Sequence, residues 1–236
     1  MRGAPAFVVG FAAEARVARL AGWQVAIGGG TTIGAAYAAQ RLIAAGATGI
    51  VSFGLAGGLD PSLPSGTLIV AKAVTAYGRT WATDHALNTR LGGVTGHLSL
   101  GLDHVVASVE EKRTLSQTTG ASMVDMESGA VAVVAAEAGV PFAILRAICD
   151  PADRALPPAA LVALDAAGRL AAARMGMSIL ANPSQLAALF GLARDAAAAR
   201  RTLRSRAIEI APDRTRPEPP PSAGIWPEDM RPAGIL

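Results

Sequence analysis

Four ionisable residues in a chain with few of them set the chemical question. Asp125 and Glu127 stand one residue apart in MVDMESGAVAVV, at the head of an apolar, alanine-rich run. Arg146 and Asp150 lie in FAILRAICDPADR, the first inside an apolar run and the second at its end. Carboxylates placed at the ends of apolar runs can protonate a leaving group, stabilise a developing cation or bind hydroxyls. They can also serve helices alone, since an Asp near a cap and a Glu in a first turn both favour a helix N-terminus. Asp150, just before Pro151, could equally cap its own turn. Arg146 needs a carboxylate, because an unpaired charge inside a strand is costly, and Glu127, Asp150 and Glu14 are the candidates.

The elements that must hold these residues alternate between strand-like and helix-like runs. Ala6 to Gly10 reads as a strand and Ala12 to Ala21 as a short helix. Trp23 to Ile27 is a strand, GGGTTIG a turn, and Ile33 to Ala45 a helix. TGIVSFG is the next strand, running into LAGGLDP, and GTLIVAKAVTA reads as one long strand. Ser108 and Glu111 form a capping-box pattern. ASMVDM is a strand, Glu127 to Ala138 a helix and PFAILRAIC a strand. Pro157-Pro158 starts a helix to about Leu180, and a second runs from Ser184 to about Ala207. Continuous apolar strands alternating with helices imply an α/β fold: a single-domain three-layer α/β/α sandwich around a mixed, largely parallel sheet. In such sheets ligands gather outside the carboxyl ends of strands, where Asp125, Glu127, Asp150, GGGTTIG and GLAGGLD all fall.

Composition narrows the function classes. Of 236 residues, 51% are apolar and 17% charged, so most of the chain can form a core. Cys149 is alone, which excludes an intrachain disulfide and suits a reducing, cytoplasmic compartment. His85, His97 and His104 have no partners at zinc spacing, so no metal is expected. APAFVVGFAA reads as a first strand rather than a targeting segment. The uncharged run from Leu42 to Leu59 is interrupted by glycines and is not a membrane span. Arg194, Arg200, Arg201, Arg204 and Arg206 cluster near the C-terminus without interleaved aromatics, which argues against nucleic acid. Leu186, Leu189, Phe190, Ala193 and Ala197 recur at helical spacing, as in a helix docked on its own core. The alternative is that its basic end leans on an anionic membrane surface. Residues 208–236 form a Pro-rich tail that reads as disordered or loosely docked.

Gly28, Gly30 and Gly34 fit a dinucleotide-loop spacing. The next strand carries no acid at its end to hold a ribose, so a nicotinamide-dependent oxidoreductase rests on glycines alone. The same loop, with Thr31, could hold an anion at a helix N-terminus. Gly54, Gly57 and Gly58 would let backbone approach a ligand closely.

Two blocks carry a family resemblance. SFGLAGGLDPSLPSGTLIVAKAV and VDMESGAVAVVAAEAGVPFAILRAICDPAD resemble the purine and uridine phosphorylase superfamily, which includes the methylthioadenosine/adenosylhomocysteine nucleosidases. The likeness spans roughly Ala6 to Leu180. VDMES, the short N-terminal region and the Ala/Arg-rich C-terminal helix are most similar to the hopanoid-associated phosphorylases, assigned to removing adenine from adenosylhopane. The resemblance implies residues 1–182 as a nucleoside phosphorylase-like domain, with 183–207 as a basic helix packed on it. It implies that Glu127 binds ribose hydroxyls with Met126 packing on the sugar, and that Asp150 protonates the departing purine. Arg146, Gly57, Gly58 and Leu55 join the substrate site. Glu14 stands near the position of the family's water-activating Glu, one residue out of register. Arg16 is the only candidate for the phosphate-binding Arg of that loop. Leu55 replaces a Ser or Thr common in relatives. Water and phosphate therefore both stand as nucleophile, phosphate then being a co-substrate and no cofactor being required. The implied partner is a nucleoside, with a lipid 5′ group if the narrower likeness holds, and the implied assembly is a homo-oligomer. An apolar 5′ side is expected from Phe53, Leu55, Leu59 and the Pro151–Pro158 loop, which could act as a lid. A salvage nucleosidase and a non-catalytic nucleoside-binding protein are the alternatives.

Overall fold

The computed structural model describes residues 4–161, 177–178, 180–182 and 184–211. It is a mixed, mostly parallel sheet with helices on both faces. The sheet begins with β1 (Ala6–Val9), β2 (Gln24–Ile27) and β3 (Ile50–Gly58), and β1 runs parallel to both neighbours. β4 (Leu68–Val70), β5 (Ala73–Ala76), β6 (Arg79–Ala82), β7 (Leu98–Gly101), β8 (Met123–Asp125) and β9 (Phe142–Asp150) complete it. The order is β2-β1-β3-β8-β7-β5-β6, and β9 pairs with β3 and with β4. The helices are α1 (Ala12–Ala18), α2 (Thr32–Ala44), α3 (His85–Arg90), α4 (Val109–Thr119), α5 (Ser128–Glu137), α6 (Pro158–Leu161) and α7 (Gln185–Glu209).

Side chains alternate across the strands, so each buried strand feeds two cores. Ala6, Val8, Ile50 and Ile144 pack with α2 and α5 on one face. Phe7, Val9, Val51, Phe53 and Leu145 pack with α1, α3 and α7 on the other. Small residues let the layers approach: Ala35, Ala38 and Ala39 of α2 are all buried against the sheet.

Three readings of the sequence need correction. GTLIVAKAVTA is not one strand. It divides at Ala71-Lys72, because β4 pairs with β9 while β5 pairs with β6 and β7. β3 does not stop at Gly54 but continues to Gly58, its last residues pairing with β8 and β9. On α7 the apolar stripe is misplaced: Leu186 is 43% and Phe190 73% exposed, while Ala199, Leu203 and Ala207 are buried. Most of the helix expected to reach Leu180, and the tail from 212 on, lie outside the described residues. No helix among the described residues is long and apolar enough to cross a membrane.

Candidate active site

The acids meet because β8 and β9 flank the end of β3. Val124 pairs with Gly57 from one side, and Asp150 pairs with Gly57 from the other. The β3–β9 register slips there: Ile148 faces Ala56 and Asp150 faces Gly57, leaving Cys149 without an opposite residue. A slip of this kind re-aims side chains. Here Cys149 and Asp150, though consecutive, both line a cavity of about 560 Å³. Its wall also includes Leu55, Gly57, Met126 and Glu127, with Gly30 and Thr31 from the loop before α2.

At one part of the cavity, Glu127 belongs to a buried charge cluster centred on Arg146, which is 1% exposed. Arg146 Nη2 donates to Glu127 Oε2 at 3.0 Å, Asp125 Oδ1 at 3.3 Å and Ser52 Oγ at 2.7 Å. Its Nη1 donates to the Leu55 carbonyl at 3.0 Å. The carboxylate of Asp125 also accepts from the backbone N–H groups of Glu127 and Ser128, so this Asp caps α5 while Glu127 faces the cavity. Desolvation works against the charge of Arg146, but Asp125, Glu127 and Glu14 outweigh it and hold the guanidinium ionised. A Cβ on Gly54 would lie 2.5 Å from Glu14 Oε1 and 2.8 Å from Arg146 Nη1. Only glycine leaves this cluster room.

Burial pushes the Glu127 carboxyl up to about 7, against the pull of Arg146, with Asp125 and Glu14 pushing the same way as burial. A carboxyl raised on folding adds stability below its ordinary value and loses that contribution as pH rises through the folded value. Between pH 4.5 and about 7, the wild type should therefore lose thermal stability relative to Glu127→Gln. Parallel melting-temperature profiles for the two proteins would place the proton elsewhere.

Elsewhere on the wall, Asp150 Oδ2 is 2.7 Å from the ammonium of Lys112, whose side chain is fully buried. Burial raises the Asp150 carboxyl, and Lys112 opposes the rise through its hydrogen bond and its charge. Arg146 is thus paired with Glu127 and Asp125, not with Asp150. Burial also pushes the Cys149 thiol up to about 12, leaving it unreactive as a nucleophile.

Other sequence candidates fall in different places. Glu14 is buried beside the Arg146 cluster but off the cavity wall, its oxygens accepting from Phe11 N–H at 2.9 Å and Leu55 N–H at 2.8 Å. Arg16 is exposed on α1, away from the cavity. Gly28 and Gly34 do not line the cavity and pack on each other instead, so closely that a Cβ on Gly34 would collide with the Gly28 carbonyl. Their spacing serves loop–helix packing, and Gly29 takes Gly28's place on the wall. Gly58 is off the wall and Gly57 on it. Phe53 and Leu59, expected to line the apolar side, are core residues at 0% and 1% exposure. Leu55 does line it, with Val105, Leu156, Leu161, Leu192 and Ala196. The loop after Asp150 is pinned rather than free: Leu156 N–H donates to the Ala107 carbonyl at 2.9 Å, and Arg154 bridges to Asp195 of α7 at 2.6 Å.

Sequence reasoning missed Lys112, which sits in the charged run Glu110-Glu111-Lys112-Arg113 and looks solvated there. Its three-residue spacing from the partly buried Leu115 is the signal that could have turned it inward. The cavity-facing residues of α7, Leu192 and Ala196, were hidden by the stripe beside them. Among the described residues no group of three or more His, Cys, Asp or Glu could hold a metal ion.

Comparison with known proteins agrees with this architecture. Residues 75–181 match the pattern of the Phosphorylase superfamily. A futalosine hydrolase of Helicobacter pylori superposes with a TM-score of 0.63 at 20% identity, covering 89% of this chain and 99% of its own. A 5′-methylthioadenosine/S-adenosylhomocysteine nucleosidase of the same organism, bound to butyl-thio-DADMe-Immucillin-A, gives 0.63 at 19% identity with the same coverage. The corresponding nucleosidase of Neisseria meningitidis, in complex with methylthio-immucillin-A, gives 0.62 at 19% with 89% and 99% covered. No curated protein matches the chain in sequence. The chain therefore has the nucleosidase fold over nearly the whole length of these relatives, and its residues 75–181 carry the Phosphorylase superfamily pattern.

Proposed function

We propose that this protein cleaves the N-glycosidic bond of an adenine nucleoside, releasing adenine, and that its substrate carries a long apolar group at the ribose 5′ position, as adenosylhopane does in hopanoid side-chain synthesis. The observation that carries the reading is the pair of buried couples, Glu127 with Arg146 and Asp150 with Lys112, opening onto one mostly apolar cavity that also meets Phe11, Thr31 and His104. Breaking the bond between C1′ and the base nitrogen leaves positive charge on the sugar and negative charge on the base. Asp150 serves the base by giving it a proton, and Glu127 serves the sugar by accepting from its hydroxyls near the developing cation. Arg146 keeps Glu127 oriented. The described wall contains no lysine or arginine, which supports water over phosphate as the nucleophile. Glu14, buried beside Glu127 behind the cavity wall, is the carboxylate that this reading assigns to that water.

The apolar wall supports the lipid substituent, since a polycyclic hydrocarbon beside unpaired charges would meet large desolvation costs. Exposed Leu186 and Phe190 on α7 support delivery of such a substrate from a membrane surface, and exposed Ile33 and Tyr37 on α2 support a second copy of the chain as partner. Adenine release should be measured from adenosylhopane, from a 5′-alkyl adenosine and from methylthioadenosine, with and without phosphate. Each buried methylene adds up to about 0.8 kcal/mol, roughly fourfold in kcat/KM, so the alkyl nucleoside should exceed methylthioadenosine. Preference for methylthioadenosine would make the protein a salvage nucleosidase, and a strict need for phosphate would make it a phosphorylase.

A further inference from the structure

Lys112 lies on α4, whose neighbours Glu110, Glu111 and Arg113 carry charge toward solvent, yet its own side chain is 0% exposed. Its ammonium makes three hydrogen bonds: to Asp150 Oδ2 at 2.7 Å, to the Pro151 carbonyl at 3.0 Å and to the Arg154 carbonyl at 2.8 Å. An ammonium has three donors and no acceptor, so these contacts use all of it and leave it one orientation.

The consequence falls on Asp150. A carboxylate at a strand end turns broadly about its last torsion. Lys112 occupies Oδ2 and removes that freedom, so Oδ1 is the oxygen left for a ligand in the cavity that Asp150 lines. The same ammonium holds the carbonyls one and four residues further on, so carboxylate and following turn are fixed from one point. The ladder pairs Asp150 with Gly57 and so fixes its backbone, but not the rotation of its carboxylate. The constraint has to come from outside β9, and α4 supplies it.

We propose that Lys112 is a positioning residue for leaving-group protonation, aiming Oδ1 of Asp150 at the departing base. This rests on the reading of Asp150 as the acid. The C1′–N bond breaks with its electron pair leaving on the base, the proton of Asp150 passes to a ring nitrogen of that base, and the oxygen of the attacking water bonds to C1′ and gives up a proton. Lys112 stays hydrogen-bonded to Oδ2 and stabilises the carboxylate that remains.

The test compares two leaving groups in single turnovers with enzyme in excess. One substrate is the adenine nucleoside that the wild type cleaves best. The other is 4-nitrophenyl riboside, whose nitrophenolate departs without being protonated. Lys112→Met should lower the adenine-release rate by at least about tenfold, a part of the roughly 10²–10⁴-fold a general acid supplies, and the nitrophenyl rate by less than about threefold. Lys112→Gln retains an amide for the carbonyls without the charge and should show the same selectivity, which keeps the test alive if the Met variant does not fold. Equal losses on both substrates would reduce Lys112 to scaffold, and an unchanged adenine rate would also overturn the proposal. A wild type that cleaves neither substrate would sink the reading of the site itself, whereas an active wild type with unselective variants sinks only the role of Lys112.

Discussion

Asp150→Asn is expected to lower kcat for adenine release by about 10²–10⁴-fold while leaving KM within severalfold. The amide keeps the shape of the carboxyl and can still meet the base, but its N–H is far too weakly acidic to give up a proton. The loss should therefore fall on the chemical step. The substitution also removes the counter-charge of Lys112, which stays buried against the two carbonyls. Breaking a buried pair from one side costs about 3–5 kcal/mol, so the variant should melt well below the wild type. Its kcat is accordingly read at a temperature where it is folded by near-UV circular dichroism. A variant with near-wild-type kcat would remove Asp150 from the role of acid.

The second large effect is on stability. Arg146→Met should destabilise the fold by about 3–5 kcal/mol, because it leaves Asp125 and Glu127 in a buried site without their cation. The sign of the pH dependence follows from the same cause. Without the guanidinium, the Glu127 carboxyl loses the charge that opposes its upward shift and binds a proton still more tightly in the folded state. Its protonation then favours folding at low pH, and the deficit of the variant should widen as pH rises through neutrality. Urea denaturation at several pH values reads this directly. Adding Glu127→Gln to the variant should recover part of the loss, since one of the stranded charges is gone. A single variant within about 1 kcal/mol of the wild type, against the expected cost of a buried unpaired charge, would mean that the cluster is not held together by charge.

Much of the architecture was legible because the long strands are buried on both faces and read as continuous apolar runs. β1 and β9 fall where such runs stand, α5 falls where its alanine-rich run stands, and β2 falls where expected although it is a half-exposed edge strand. The short elements were not legible. Arg79–Ala82 is four residues with two polar ones, and its pairing with β5 depends on the two-residue turn Tyr77-Gly78, where φ is 49° and 71°. That turn belongs to the mirror-image type that matches strand twist, and the signal was present in the Tyr-Gly pair. In the site, the apolar runs pointed to Glu127 and Asp150 because charge at the end of such a run is conspicuous. Lys112 lay in a run where charge is ordinary. The face of α7 that meets the cavity was missed because, beside Leu192, alanine at 196 carries too little contrast to fix a helix's rotation.

The placement of β9 governs how the chain can reach this structure. In space it lies between β3 and β4, but in the chain it begins at Phe142, after β3 has ended at Gly58 and β4 at Val70. A nascent chain that has emerged only as far as Pro141 therefore holds two apolar strands with facing edges open and nothing to pair them. Such edges are templates for other chains, and pairing between segments so distant in sequence is slow to form. The same strand brings Arg146 and Asp150, so the chain gains these groups of the proposed site and closes the open edges of β3 and β4 in one event. Fragments ending before Phe142 should collect in the insoluble fraction, and ribosome pausing within β9 would lengthen exposure of that surface during synthesis.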